Sequence, residues 1–252
     1  MIRQIIITRA QPGARETEAR LRRLGYDTLI LPALEIRGRS AAGFTPPDAD
    51  DTYIFTSANG VRAIADAGWP MERKAVCVGP ATLSAAQAAG VSDAVSADGN
   101  ADDLFDFIMA MPTGDRPRHF VHVANADAAG NLVARLRETG QSAEFVPLYE
   151  AAAVSWEPIA PIWQAEVAAD ALILIHSARG AQSVHAWIEA GDVETTDMAL
   201  AGVSDRAIGP LSELSFAARV VAMRPNEEEL ITALQTIAEP GVSSGKQIKR
   251  EK

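Results

Sequence analysis

The sequence predicts an α/β protein that consists of two similar lobes with parallel sheets. Short apolar runs alternate with longer Ala-rich segments, and most of the runs lack polar alternation. Alternating strand-like and helix-like segments are typical of βαβ units, and uninterrupted apolar strands are typical of parallel sheets with helices on both faces. The motifs of the first half recur in the same order in the second half. We therefore predict an internal duplication.

Four matched pairs of segments indicate the duplication. Gly25 falls on Gly140 at an offset of 115 residues, and the offset drifts by only a few residues further along the chain, as small loop insertions would cause. The pairs are Ile5–Glu35 with Phe120–Glu150, Ile54–Gly60 with Leu174–Gly180, Val78–Gly79 with Ala201–Gly202, and Asn100–Leu104 with Asn226–Leu230.

The apolar runs predict the strands, and leucine stripes and capping residues predict several helices. Helices are expected over 14–24 and 131–138, each ending at a glycine, Gly25 or Gly140. Asn100 and Asn226 each precede an acidic residue by three positions, a pattern that caps helix starts. The predicted strands are Gln4–Thr8, Thr28–Leu31, Thr52–Thr56, Ala75–Val78, Ala94–Ser96, His119–Val123, Ala143–Pro147, Ala171–His176, Met198–Gly202 and Val220–Ala222.

Composition excludes several classes of function. A chain of 252 residues with 48% hydrophobic and 22% charged residues is expected to be soluble and globular, with one or two domains. Its net charge of -10 argues against nucleic acid as a partner. A single cysteine, Cys77, allows no internal disulfide and fits the cytoplasm. The first apolar run, Ile5–Ile7, is too short for a signal peptide or a membrane span, so we expect no membrane association.

The turns that follow the strands are the candidate binding sites, because ligands of open parallel sheets lie outside the carboxyl ends of the strands. Thr56, Ser57, Ala58 and Asn59 form one such turn, and small side chains with free amides at a helix start suit a carboxylate. The same turn recurs at His176, Ser177 and Ala178. The alternative is that Ser57 or Asn59 merely caps its own helix.

Two further turns are candidates of the same kind. Gly79 and Thr82 follow a strand, and Ser204 echoes them in the second half, although plain turn geometry would also explain these residues. Arg9 follows the first strand, where it either holds an anion or points into solvent.

Other types of site lack support in the sequence. His119 and His122 are three apart on a strand and so face opposite ways, and His185 has no ligand partner at metal spacing, so no metal site is predicted. Cys77 lies in an apolar run and is predicted to be buried. Gly-x-Ser-x-Gly and Gly-x-Gly-x-x-Gly motifs are absent, which argues against hydrolase and dinucleotide-binding sites. We expect no cofactor.

These motifs together resemble the uroporphyrinogen-III synthase family, over nearly the whole chain. No single motif is specific, but their order, spacing and duplication are. The matching segments are Ile7–Arg9, Leu31–Ile36, Ile54–Arg62, Val78–Thr82, Val146–Glu150 and Arg224–Glu227.

The resemblance implies two flavodoxin-like lobes joined by a two-stranded hinge. Residues 1–35 and 154–239 are expected to form one lobe and residues 36–153 the other. The hinge strands are placed at 31–37 and 145–153, in proline-bearing stretches that match between the halves. Residues 240–252, rich in Gly, Ser and Lys, are predicted to be a disordered tail.

The resemblance also implies the reaction. The substrate is hydroxymethylbilane, a linear tetrapyrrole carrying acetate and propionate groups, which is cyclised to uroporphyrinogen III with loss of water and inversion of ring D. No cofactor or metal is implied. We expect a monomer that receives its substrate from the upstream synthase.

Site residues are assigned by the same resemblance. Tyr149 matches a tyrosine that the family places in its cleft, and its role would be to hydrogen-bond or protonate the leaving hydroxyl, although a buried structural tyrosine is the alternative. The expected substrate-binding residues are Arg9, Thr56, Ser57, Ala58, Asn59, Gly79, Thr82, Asn100, Asn125, Ser177, Ala178 and Ser204.

The chain departs from the family pattern mainly in its second-copy turns. Ala124 and Asn125 replace an Arg-Gly pair, His176 replaces a threonine, and Asp205 would repel a substrate carboxylate if it faced one. The alternative function is therefore a two-lobed binding module that closes on an anionic metabolite without transforming it.

Overall fold

The computed structural model describes residues 2, 4–91, 93–114, 116–128 and 131–238. These residues form two compact units. Unit 1 contains the described residues of Met1–Glu35 and Ala152–Lys252, and unit 2 is Ile36–Ala151. The predicted tail over 240–252 lies outside the described residues.

Strands and helices alternate along the chain, as the sequence predicts. The strands are β1 (Gln4–Ile7), β2 (Asp27–Ile30), β3 (Leu34–Gly38), β4 (Thr52–Phe55), β5 (Lys74–Cys77), β6 (Asp93–Ser96), β7 (Phe120–Asn125), β8 (Ala143–Ala153), β9 (Leu172–Ile175), β10 (Ala199–Gly202) and β11 (Ala218–Val221). The helices are α1 (Gly13–Arg23), α2 (Ala58–Asp66), α3 (Pro80–Ala88), α4 (Ala101–Ala110), α5 (Asn131–Glu138), α6 (Ala160–Glu166), α7 (Ala178–Gly191), α8 (Asp205–Ile208) and α9 (Glu227–Leu234). A 3₁₀ turn at Gly209–Leu211 follows α8.

The two sheets have the same topology, which confirms the α/β fold class. Unit 1 has the strand order β11-β10-β9-β1-β2, and the sheet of unit 2 has the order β6-β5-β4-β7-β8-β3. The order of the first five strands is therefore the same in both sheets when matched copies are compared. All neighbours among these five strands pair in parallel. Duplication of one doubly wound half explains this identity.

Strand register corrects one part of the predicted duplication. Phe55 pairs with Cys77, whereas its copy Ile175 pairs with Gly202. Gly202 is thus the counterpart of Cys77, and the match of Gly79 with Gly202 is wrong by two residues. Gly79 and Ser204 are the true counterparts, since each is the N-cap of the helix that follows its strand. Both positions contain short glycine-bearing turns, which is why the sequence alone allowed the wrong register.

Both faces of each sheet are covered, and this explains the uninterrupted apolar strands. Ile6 packs with Trp187 on one face of the unit 1 sheet, while Ile5 and Ile7 pack with Leu230 on the other. All five side chains are at most 1% exposed. Alternate residues of a strand point to opposite faces, so a doubly covered strand has no polar positions.

The prediction of hinge strands at 31–37 and 145–153 corresponds to β3 and to the second half of β8, which are neighbours in the sheet. Their backbone hydrogen bonds run from Arg39 N to Leu148 O and from Val154 N to Ala33 O, so the two strands are antiparallel. The chain passes between the two units within these two strands.

β8 continues through Pro147, where the sequence predicts that the first part of the strand ends. Val123 pairs with Val146 but Asn125 pairs with Tyr149, so β8 has one extra residue between these two pairs. This bulge accommodates the proline, which cannot donate to the ladder. As a result, Tyr149 lies directly opposite Asn125.

The predicted helix ends and caps are also present. Gly25 and Gly140 have φ angles of 88° and 81°, in the left-handed region that glycine adopts without strain. Asn100 forms a reciprocal capping box with Asp103, and Asn226 accepts a hydrogen bond from the amide of Glu229. No helix among the described residues is long and apolar enough to cross a membrane.

Gly60 should tolerate alanine poorly, because a β-carbon there would lie 2.6 Å from the carbonyl oxygen of Val123. We expect Gly60→Ala to lower the free energy of unfolding by about 2 kcal/mol, since neither backbone can move away easily. Urea unfolding measures the free energy of unfolding of the variant and of the wild type. The matched control is Gly180→Ala at the duplicated position, where the nearest atom is the Ser177 hydroxyl at 3.3 Å. An equal loss in both variants would contradict the prediction.

Candidate active site

Tyr149 is the centre of a hydrogen-bonded group at the carboxyl edge of the unit 2 sheet. Its side chain is only 5% exposed. Its hydroxyl lies beside the side chain of Ser57 and the backbone of Asn125. Its carbonyl accepts from the amide of Ala126 at 2.7 Å. Burial raises the pKa of Tyr149, and the neighbouring Ser57 side chain and Asn125 backbone offset part of that rise. The phenol is therefore protonated at neutral pH and available as a donor.

Thr56 lies beside this group and contacts a buried histidine. The Nε2 atom of His122 is 3.2 Å from the Thr56 hydroxyl. His122 is 3% exposed, and burial lowers its pKa to about 4, so the ring is neutral at neutral pH. Its Nδ1 atom has no hydrogen-bond partner among the described residues. The sequence pattern did not predict this contact, because the spacing of His122 was informative only about metal binding; a lone polar residue in an apolar strand was nevertheless a usable signal.

The helix that follows β5 begins with unpaired amides. Gly79 is its N-cap, and among the described residues no side chain caps α3. Pro80 has no N–H group and the amide of Leu83 donates to Gly79 O, so the amides of Ala81 and Thr82 are the donors that remain available in this turn, as such amides are at many anion sites. Thr82 lies in this turn, but its side chain is only 6% exposed.

The other turns of unit 2 use part of their hydrogen-bonding capacity locally. Ser57 caps α2 by accepting from the amide of Asn59, as the alternative interpretation held. The side-chain oxygen of Asn59 accepts from Arg62 at 2.9 Å. Asn100 caps α4, and Asn125 accepts from the amide of Asp127.

The corresponding edge of unit 1 holds an ionic cluster, which we define as Arg9, Thr17, His176 and Glu227. One carboxylate oxygen of Glu227 accepts from Arg9 Nη1 at 3.0 Å and lies 2.9 Å from His176 Nε2. The other oxygen accepts from the Thr17 hydroxyl at 2.5 Å. The arginine predicted to hold a substrate anion thus already holds the carboxylate of the chain itself.

The cluster strongly perturbs Glu227. Burial by itself would raise the pKa of this carboxyl, but the hydrogen bond and charge of His176, the Thr17 hydroxyl and the charge of Arg9 together lower the pKa to about 2. Glu227 is therefore ionised throughout the physiological range. No pattern in the sequence distinguishes it from Glu228 and Glu229, so neither it nor Thr17 was predicted.

Ser177 and Ser204 cap the helices that follow them in unit 1. Ser177 accepts from the amide of Gly180, and Ser204 accepts from the amide of Ala207. Ala178 is the first residue of α7. Asp205 is exposed in the first turn of α8, where the helix dipole favours an acidic side chain.

Metal and cysteine chemistry find no support in this geometry. Among the described residues no group of three or more His, Cys, Asp or Glu side chains is arranged to hold a metal ion. Cys77 is fully buried, and burial raises the pKa of its thiol to about 11, so the thiol is not a reactive nucleophile.

Comparison with known families decides among the possible activities. The family model described as uroporphyrinogen-III synthase HemD matches residues 15–232. The chain belongs to the uroporphyrinogen-III synthase family. It is therefore a cyclising lyase that converts hydroxymethylbilane to uroporphyrinogen III, as the resemblance in its motifs predicts.

Solved structures agree with this fold. The crystal structure of uroporphyrinogen-III synthetase from Helicobacter pylori 26695 matches with a TM-score of 0.64 and 13% identity, over 94% of this chain and 100% of that chain. A mutant uroporphyrinogen III synthase from the extremely thermophilic bacterium Thermus thermophilus matches with a TM-score of 0.51 and 14% identity, over 94% and 98% of the two chains. No curated protein matches the chain significantly by sequence.

Glu227 should make stability depend on acid pH. Its folded pKa of about 2 is below the ordinary value of 4.5, so its contribution is fully present above pH 4.5 and is lost as the pH falls towards 2. We expect Glu227→Gln to lower the free energy of unfolding by about 2 kcal/mol at pH 7. This difference from the wild type should shrink between pH 4.5 and 2.

Urea unfolding at a series of pH values checks the prediction. Glu228→Gln is the matched control, because Glu228 is exposed and adjacent. A deficit of Glu227→Gln that stays constant down to pH 2 would count against the assignment.

Proposed function

We propose that hydroxymethylbilane is held at the carboxyl edge of the unit 2 sheet and that Tyr149 donates a hydrogen bond or a proton to its leaving hydroxyl. The observation that carries the proposal is the buried Tyr149, which lies opposite Asn125 at the strand edge with its hydroxyl beside Ser57. A protonated phenol at the edge where ligands of parallel sheets bind is the kind of group that this dehydration requires.

Tyr149 would act at the first step. Protonation of the terminal hydroxyl lets it leave as water and gives an azafulvene, which the substituted carbon of ring D attacks to form a spiro intermediate. The bulge at Pro147 supports this role, because it places Tyr149 opposite Asn125 and so sets the position of the hydroxyl. Only one copy has this group, since the counterpart of Tyr149 in unit 1 is Leu34.

The substrate carboxylates would be bound by amides and small polar groups. The strongest candidate in unit 2 is the first turn of α3, which Gly79 precedes and which contains Thr82. Its amides lack side-chain partners among the described residues. Positioning of the flexible bilane by several such turns would supply much of the catalysis. We assign the supporting contacts to Thr56, Ser57, Ala58, Asn59, Asn100 and Asn125 in unit 2 and to Ser177, Ala178 and Ser204 in unit 1. We leave Arg9 out of this set, because its guanidinium is paired with Glu227.

Tyr149→Phe tests the assignment. We expect kcat for uroporphyrinogen III formation to fall by a factor of about 100, with little change in KM, since the lost interaction serves the leaving group. Hydroxymethylbilane would be generated in place by its upstream synthase, and the ratio of uroporphyrin III to uroporphyrin I would be measured by chromatography after oxidation. Isomer I is the product of spontaneous closure and would report lost turnover.

Tyr53→Phe is the matched control for this variant. Tyr53 is also buried in unit 2, and its hydroxyl donates to Pro70 O at 3.0 Å, away from the strand edge. This variant should keep wild-type kcat. If Tyr149→Phe were also to retain wild-type kcat, Tyr149 would be a structural residue.

We further propose that the chain works in the cytoplasm as a monomer that takes hydroxymethylbilane from the upstream synthase. The few large apolar side chains exposed among the described residues are Leu24, Val95, Ile162 and Met223, which supports a monomer. Light scattering should give the mass of one chain. Because free substrate closes spontaneously, direct transfer predicts a constant fraction of isomer III when both enzymes are diluted together. A rising fraction of isomer I would instead indicate free diffusion.

A further inference from the structure

The ionic cluster of unit 1 has the composition of a carboxylate receptor. Its three donors, a guanidinium, an imidazole and a hydroxyl, converge on the two oxygens of a single carboxylate within 3.0 Å. A guanidinium makes strong, charge-assisted hydrogen bonds to carboxylates. The carboxylate that they hold is Glu227, whose side chain is 18% exposed.

The surrounding structure fixes both the receptor and its occupant. A β-carbon at Gly13 would lie 2.6 Å from Arg9 Nε, so the glycine leaves the space in which the guanidinium lies. Glu227 is the first residue of α9, and Leu230 and Leu234 on this helix are fully buried. The buried face of α9 therefore holds the backbone of Glu227 in place beside the three donors.

The duplicated position in unit 2 lacks this occupant. Asn100 and Asn226 cap matched helices, so the counterpart of Glu227 is Ala101, which is exposed. The counterparts of His176 and Arg9 are Thr56 and Ala124. The two copies of the strand edge have thus diverged: one is filled by a carboxylate of the chain and the other has small neutral residues.

We infer that the strand edge of unit 1 is a carboxylate receptor permanently occupied by Glu227, and that Glu227 excludes the carboxylates of the substrate from Arg9 and His176. Glu227 is then a specificity-determining residue, which leaves the carboxylates of the bilane to the neutral turns of the two units. The inference rests on the proposed function only in this last assignment.

Acetate rescue of Glu227→Ala tests the inference. The truncation removes a carboxylate and leaves its donors, so acetate should bind in its place. We expect about 0.1 M sodium acetate to raise the thermal midpoint of this variant by about 3–5 °C relative to sodium chloride of the same ionic strength. The wild type and the neighbouring control Glu228→Ala should not respond. Arg9→Gln/Glu227→Ala should lose the response, because a main donor is gone.

The acetate responses of the wild type and the variants support or overturn the inference. An acetate effect in the wild type as large as in Glu227→Ala would show that Glu227 excludes nothing, and a folded Glu227→Ala that ignores acetate would show that the cluster is not a receptor. A response that survives in the double variant would place the anion elsewhere and also overturn the inference. If Glu227→Ala is recovered folded only from acetate, that supports the inference.

Glu227→Ser decides the case in which Glu227→Ala folds in neither salt. Its short hydroxyl side chain keeps a polar group near the donors but leaves room for acetate and leaves Arg9 without a counter-ion, so its thermal midpoint should rise with acetate while that of the wild type does not. A midpoint that is indifferent to acetate overturns the inference. The thermal midpoint does not depend on turnover, so wild-type kcat in Tyr149→Phe together with an intact acetate response of the Glu227 variants would refute the proposed function alone.

Discussion

Parallel strand pairing is the constraint on which the rest of this structure depends. It places the carboxyl ends of neighbouring strands at one edge of each sheet, so residues far apart in sequence meet there. Arg9, His176 and Glu227 meet in this way in unit 1, and Ser57, Asn125 and Tyr149 meet in unit 2. Because the strands are buried on both faces, these edges are where each unit can present polar groups to a ligand.

The strand edges of the two units have the same topology but carry different polar groups. In unit 1 the half-buried carboxylate of Glu227 occupies the edge, because it pairs with Arg9 and accepts from Thr17. In unit 2 the edge carries a neutral histidine, a protonated tyrosine and amides at an uncapped helix start. A polyanionic substrate meets donors without a competing anion only at the second kind of edge. An acidic protein can therefore bind a polycarboxylate without a large basic surface.

Much of the fold was accessible from the sequence because its signals are local. Apolar runs, the glycines at 25 and 140 and the asparagines at 100 and 226 each act through their own backbone, and each was placed correctly. The register error at Gly79 arose because strand alignment depends on pairing between segments that are distant in sequence. The sequence predicted a strand over 143–147 and a hinge strand over 145–153, but not that a bulge against β7 at Pro147 joins them into one strand, for the same reason.

The sequence by itself determined the α/β class, the duplication and the family, because the periodicity of apolar residues and the order of the motifs indicate all three. Only the tertiary structure decided which charges neutralise one another. Arg9 and Glu227 are separated by 218 residues, and no local pattern distinguishes Glu227 from the two glutamates beside it. Their pairing depends on where β1, β9 and α9 bring their ends together, and that depends on the packing of the whole unit.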